Sequence, residues 1–304
     1  MFRLRKKEAD MIKKIEVSEA RFAHKLIAPS MVLIFGLVLL PLLYAVYMTL
    51  FKVGVSGPTS EFLGLKQYIR VVTDRSFWSS LRVTVYFTVV SLALQTVLGI
   101  AVALLLNLEF RGRGFMRGII LAPWAVPTIV NAQLWGWIYN ASYGVLNKIL
   151  IKLGMISKPI IWLGTSSLAI NSVIAADTWR MTPLYVLMFL SGLQTINGEL
   201  YEAAKVDGAG AWRRFCHITL PLLKPIILVV LVLRTMQALR VFEIIYQLTQ
   251  GGPNNSTMVV SFYAYFKTFS SLDFGYGSTI GMLIAVITII ITLVYKKVLE
   301  DKEV

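Results

Sequence analysis

Residues Glu199–Leu223, "ELYEAAKVDGAGAWRRFCHITLPLL", decide how this chain is read. They are polar, dotted with glycine and charged in both signs, and the sequence on either side is mostly apolar. Of 304 residues 57% are hydrophobic, with a mean hydropathy of +0.70. That is too apolar for a soluble domain. Working outward from the loop, runs of about 20 apolar residues recur, the length that carries a helix across roughly 30 Å of hydrocarbon. The pattern predicts an all-α polytopic membrane protein with six spans, at 26–50, 81–108, 115–139, 167–193, 218–239 and 278–299. Residues 1–25 form an N-terminal arm and 300–304 a short tail.

The third span, "FMRGIILAPWAVPTIVNAQLWGWIY", contains Pro123 and Pro127, each of which removes a helical hydrogen bond. A kink or local break is expected there, and broken spans in transporters often face a cavity. Gly277 and Gly281 set a G-x-x-x-G at the start of the sixth span, a pattern read here as packing. Most tryptophans lie near span ends, where an interfacial belt is the default explanation.

Basic residues set the orientation. Arg3, Arg5, Lys6, Lys7, Lys13, Lys14, Arg21 and Lys25 precede the first span, and Arg111, Arg113, Arg117, Lys205, Arg213, Arg214, Lys296, Lys297 and Lys302 fall on the same side. The opposite, longer loops hold only Lys52, Lys66, Arg70, Arg75, Lys148, Lys152, Lys158 and Lys267. The positive-inside rule therefore puts both termini, and Glu199–Leu223, in the cytoplasm.

The same clustering accounts for the net charge of +14. Positive residues beside spans hold topology and meet anionic lipid, so a nucleic-acid partner is not expected. The arm is too charged and too long for a usual signal peptide, and the first span is expected to stay. A lone Cys216 excludes an internal disulfide or a cysteine metal cluster. With only His24 and His217, a multi-histidine metal site is excluded too. No G-x-x-x-x-G-K-[ST] is present, so the chain cannot hold a nucleotide by a P-loop. No nucleophile and base pair stands out within the spans, so no catalytic residue is assigned and an enzyme is not expected.

Within the loop, Asn197 suits a helix N-cap, Glu199 its first turn, and Gly208 the left-handed residue that ends it. A second helix follows, with Ala211, Trp212, Phe215 and Ile218 tending to one face, before Pro221 enters the fifth span as a first-turn proline. In the first helix Leu200, Ala203 and Ala204 share a face. On physical grounds two readings stand: a docking surface for another protein, or an amphipathic connector resting on lipid headgroups.

The pattern E-A-A-x3-G-x9-I-x-L-P runs without a gap through Glu202, Ala203, Ala204, Gly208, Ile218, Leu220 and Pro221. It resembles the EAA loop of importer-type ABC permeases. "TQGGPNNST" after the fifth span and "DFGYGSTIG" before the sixth extend the resemblance to carbohydrate permeases, specifically to the first of two non-identical subunits of the multiple-sugar, lactose and glycerol-phosphate type. The maltose transporter's own first subunit has eight spans and a large insertion, from which this chain departs.

The resemblance implies a type I ABC importer permease fold in a bacterial or archaeal cytoplasmic membrane. The implied partners are a second permease subunit, two ATPase subunits and an extracytoplasmic sugar-binding protein. ATP and Mg would be held by the ATPases, and this chain would carry no cofactor or metal. Glu202, Ala203, Ala204, Asp207 and Gly208 would couple to an ATPase, and a sugar would cross by alternating access. Glycerol-phosphate or an acidic sugar is an alternative cargo, and an ion-coupled secondary transporter an alternative of another class.

Charged residues inside spans usually face a partner or a water-filled cavity. Asp177 and Arg180 stand at i, i+3, and Arg234, Gln237, Arg240 and Glu243 follow one another at steps of three. Each group contains a local ion pair as a possible arrangement, Asp177 with Arg180 and Arg240 with Glu243. In related permeases the spans flanking the EAA loop line the solute path, which implies Arg180, Tyr185, Arg234 and Gln237 as path residues, with Asn131 and Trp135 of the broken span behind them.

Overall fold

Long helices occupy all six apolar stretches in the computed structural model, which describes residues 25–54 and 57–300. The expected N-terminal arm, and all but the first residue of the expected tail, lie outside the described residues. α1 (Lys25–Leu50) leads into a hairpin of β1 (Phe51–Gly54) and β2 (Gly57–Phe62), with Phe51 opposite Phe62. α2 (Lys66–Val72) and the 33-residue α3 (Arg75–Asn107) follow. Next come α4 (Arg113–Ala125), α5 (Thr128–Ile138), α6 (Val145–Lys152) and α7 (Ser166–Gln194). α8 (Gly198–Val206), α9 (Ala211–Ala238), α10 (Glu243–Leu248), α11 (Val260–Tyr265) and α12 (Phe274–Glu300) complete the fold.

Among the described residues α1, α3, α9 and α12 are each long and apolar enough to cross a membrane. α4 and α5 reach that standard only together, and their axes turn by 97° at the break between them. The cause is local. Pro127 holds Val126 in an extended conformation and cannot donate to the preceding turn, so α5 starts afresh behind it.

α7 is less apolar, with Asp177, Thr178, Arg180 and Thr182 through its middle. Its position explains this. α7 packs along α3 and against α4 and α9, with Val173, Ile174, Ala176, Tyr185, Val186 and Phe189 buried. A helix sheltered by its neighbours needs no lipid-facing surface all round. α1 is its opposite: only Thr49, near its end, is buried, and its contacts are chiefly with α12.

Side-chain contacts fix the directions. Tyr86 bonds Asn171, Gln95 bonds Asp177, and Gly99 faces Tyr185, so α3 and α7 run parallel. Gly192 meets Leu223 while Arg234 reaches Asp177, so α9 runs against them. Glu199–Leu223 therefore lies at one end of the bundle, and α2, α11 and the start of α12 lie at the other.

Two π-helical turns, Phe35–Leu39 and Phe215–Thr219, each end two residues before a proline, Pro41 and Pro221. In each, an i→i+5 bond closes the wide turn, Leu40 N–H to Phe35 O and Leu220 N–H to Phe215 O. The wider turn draws the carbonyl four residues back away from the proline ring. This corrects the expected loop. The helix from Ala211 runs unbroken to Ala238, so Pro221 is an interior residue accommodated by a π turn, not the first turn of a new helix.

A Cβ on Gly99 would stand 2.6 Å from the Tyr185 Cβ and 3.2 Å from the Phe189 ring, so Gly99 sets the spacing of α3 and α7. Gly99→Ala is expected to destabilise the purified protein by about 1–3 kcal/mol, because neither a Cβ nor a packed ring edge can swing aside. Gly118→Ala, with nothing within 4 Å, is the control. Equal thermal stability of the two variants would contradict this account. Of the G-x-x-x-G pair, Gly277 approaches Thr268 and Ala264 closely, whereas Gly281 meets nothing within 4 Å among the described residues.

Candidate functional site

Three polar constellations stand out, one at each end of the bundle and one within it. At the first end, the Asn197 Oδ1 accepts from the Glu199 N–H at 3.0 Å and starts α8. Gly208, at φ +76°, stops it: its N–H bonds Lys205 O at 3.0 Å and the Ala209 N–H bonds Ala204 O at 2.8 Å. These two bonds are the Schellman arrangement. Among the described residues one side-chain hydrogen bond joins α8 to the next helix, Tyr201 Oη to Thr219 Oγ1 at 2.9 Å.

The rest of α8 points away from the bundle. Val206 is 88% exposed, Trp212 76% and Leu200 47%, in a patch that also holds Glu202, Ala203, Asp207 and Gly208. The Glu202 carboxylate bonds Lys205 Nζ at 2.6 Å on the surface. That bond and the lysine charge hold it below the usual carboxylate value. Val206 carries no signal in the periodicity of this short helix.

Inside the bundle a cavity of about 530 Å³ lies where the α4/α5 break meets α7 and the end of α9. Trp124 and Thr128 line it from the break, Asp177, Arg180 and Met181 from α7, Arg234 and Gln237 from α9, and Arg240 to Ile244 beyond. Of the expected path residues, Arg180, Arg234 and Gln237 are on its wall. Asn131, Trp135 and Tyr185 are not. Asn131 is fully buried with Nδ2 on Ala176 O at 3.4 Å, Trp135 packs on Tyr139 and Trp179, and Tyr185 is buried against Phe189.

The ion pairing differs from both local expectations. Asp177 pairs with Arg234 across helices, not with Arg180. Gln95 closes a ring with them, its Nε2 donating to Asp177 Oδ2 at 3.0 Å and its Oε1 accepting from Arg234 Nε at 3.0 Å. Arg180 is left with a buried Nε that has no hydrogen-bond partner. Arg240 donates from Nε to Met236 O at 3.2 Å, and no ion pair with Glu243 is among the four in the described residues. The i, i+3 spacing could not reveal Gln95, which lies some 80 positions earlier. The one sequence signal for it is a glutamine inside an otherwise apolar span.

A larger recess of about 830 Å³ between α3, α4 and α7 is lined by Leu94, Leu98, Ile119, Pro123, Val126 and Trp179 among others. With so few polar groups it suits an acyl chain better than a hydroxyl-rich solute.

At the far end Asp74 caps α3, its Oδ1 accepting from the Ser76 N–H at 2.8 Å, while Oδ2 accepts from Tyr263 and Tyr276. Arg70 pairs with Asp273 at 2.9 Å and lies 4.6 Å from the centre of the Tyr276 ring. Partial burial pushes Asp74 up, but the two tyrosines, the Ser76 N–H and the Lys267 charge outweigh it and hold it below 3.8. Its stabilisation is thus present above that value and lost as pH falls through the lower folded value. Asp74→Asn is expected to speed hydrogen exchange in α11 at neutral pH and to remove part of the acid-induced rise. Superimposable pH profiles for the two proteins would show that the Asp74 carboxylate does not hold α11 through Tyr263.

The family described as "Binding-protein-dependent transport system inner membrane component" matches residues 95–301. The chain is 44% identical over 289 residues to the trehalose/maltose transport system permease protein MalF of Thermococcus litoralis, covering 95% of this chain and 97% of that protein. It is 37% identical to the sulfoquinovosyl glycerol transport system permease protein SmoG of Agrobacterium fabrum, covering 95% and 94%. Among solved structures, it resembles a bacterial ABC transporter involved in the import of the acidic polysaccharide alginate, with a TM-score of 0.82 at 22% identity, covering 94% of this chain and 98% of that one.

Proposed function

The chain belongs to the family of inner membrane components of binding-protein-dependent transport systems, and we propose that it is the permease subunit through which a sugar crosses in an ATP-driven importer. The observation that carries this reading is the exposed, glycine-stopped helix α8, in a chain whose sequence carries no P-loop. Its patch of Leu200, Ala203, Val206 and Trp212, flanked by Glu202, Asp207 and Gly208, is the docking surface for one of two ATPase subunits, which bind ATP and Mg. Glu202, held by Lys205 in the isolated chain, exchanges that partner for a basic group on the ATPase.

In this reading α1, α3, the α4/α5 pair, α7, α9 and α12 each cross once, and the excess of basic residues on the α8 side supports a cytoplasmic α8 and cytoplasmic termini. The hairpin, α2 and α11 then face outward, where a loaded binding protein docks. Movement of α8 passes through the Tyr201–Thr219 contact into α9, a helical rod of roughly 40 Å. Arg234, near its far end, meets the cavity wall. ATPase closure would thus reach the walls that hold Arg180, Arg234 and Gln237, and alternate the cavity between the two sides. α1, packed chiefly on α12 and otherwise exposed, offers its free apolar face to the second permease subunit or to lipid.

Two of the relatives are named for trehalose/maltose and sulfoquinovosyl glycerol, which supports a carbohydrate cargo. Arg180, with an unpartnered buried Nε on the cavity wall, favours an acidic sugar as the second reading. The test is reconstitution with the second permease, the ATPases and the binding protein carrying its native ligand. Uptake should require ATP, and ATP hydrolysis should rise with loaded binding protein. Uptake driven by an ion gradient without ATPase subunits would refute the reading.

A further inference from the structure

We propose that Gln95 is a positioning residue for solute passage: together with Asp177 it aims the Arg234 guanidinium into the cavity as a fixed donor to a solute hydroxyl. This rests on the transport reading above. Gln95, Asp177 and Arg234 come from α3, α7 and α9, and they are 0%, 2% and 4% exposed. Arg234 nevertheless stands on the cavity wall with Asp177, whereas Gln95 does not reach it. Nε is held by Gln95 Oε1 and Nη2 by Asp177 Oδ2, and Gln95 Nε2 bonds the same carboxylate oxygen. Among the described residues Nη1 has no hydrogen-bond partner.

The guanidinium is a rigid plane, so fixing two of its nitrogens fixes the direction of the third. Were Gln95 absent, Arg234 would hang from Asp177 alone and could rotate about that contact. A ring serving only as a brace would do as well with uncharged, well-packed side chains, since buried ion pairs seldom stabilise more than apolar isosteres. A pre-aimed donor on the wall of a polar cavity is a use that isosteres cannot serve. Asp177 also neutralises Arg234, so the nitrogen offers a directed hydrogen bond without an uncompensated charge, which suits a hydroxyl oxygen. Gln237, three residues on and on the same wall, adds both a donor and an acceptor.

The experiment measures solute moved per ATP hydrolysed by the reconstituted complex with loaded binding protein. Gln95→Leu is expected to assemble with its partners and hydrolyse ATP but to move about tenfold less solute per ATP, the loss of one directed bond to a charged group. Should it fail to assemble, the double variant Asp177→Asn with Arg234→Gln removes both charges together, so that no buried charge is orphaned, and takes the directed guanidinium off the cavity wall. The same fall in solute per ATP is expected of it. A ratio unchanged from wild type, with uptake and hydrolysis falling in proportion, would reduce the ring to a brace and overturn the inference while leaving the transport reading intact. ATP-independent uptake by the wild-type complex would overturn both.

Discussion

Asp177→Ala is expected to destabilise the chain by about 3–5 kcal/mol, the cost of leaving a buried charge without its partner. The carboxylate is the hub of the ring that joins α3, α7 and α9, and its Oδ2 takes both the Gln95 amide and the Arg234 guanidinium. Its removal leaves Arg234 on a wall that water reaches only from the cavity side, and leaves Gln95 with a broken network. The double variant Asp177→Ala with Arg234→Ala is expected to recover most of the loss, because it removes the orphaned charge along with the pair. Denaturation of the purified protein measures this. A single variant no worse than a surface substitution, or a double variant whose loss is the sum of the singles, would show that the ring is not coupled.

That ring also marks where the sequence stops being legible. The apolar runs located the long helices because hydrophobic length is a local property, and Pro123 and Pro127 located the break because a missing N–H acts within one turn. Asn197 and Gly208 were readable for the same reason: a cap and a left-handed turn involve only neighbours. Asp177 went to the wrong arginine because i, i+3 spacing reports only partners on the same helix, and Arg234 arrives from another. Tyr185 and Asn131, implied as path residues by the resemblance, lie off the cavity wall, because their surroundings are set by the packing of α7 on α3 and α5. Pro221 was misread because its tolerance depends on a π turn that no propensity signals.

Gly208→Val is expected to leave the protein in the membrane while reducing ATP-driven uptake by more than tenfold. Among the described residues no neighbouring atom lies within 4 Å of where a Cβ would sit, so the defect cannot be a clash within this chain. It is conformational: at φ +76° a β-branched residue costs roughly 1–2 kcal/mol, which the chain relieves by unwinding the turn. The two Schellman bonds, Gly208 N–H to Lys205 O and Ala209 N–H to Ala204 O, are then lost, and α8 is no longer aimed by its own C-terminus. Only the Tyr201–Thr219 contact still ties α8 to α9, and one hydrogen bond leaves it free to pivot. The patch holding Val206 and Trp212 would meet the ATPase at the wrong angle. Gly208→Asn separates conformation from side-chain loss, since asparagine tolerates the left-handed region far better than valine. It should retain both ATPase association and uptake. Equal defects in the two variants would mean that the ATPase needs the bare backbone of Gly208, and normal uptake by Gly208→Val would mean that α8 is not the coupling element.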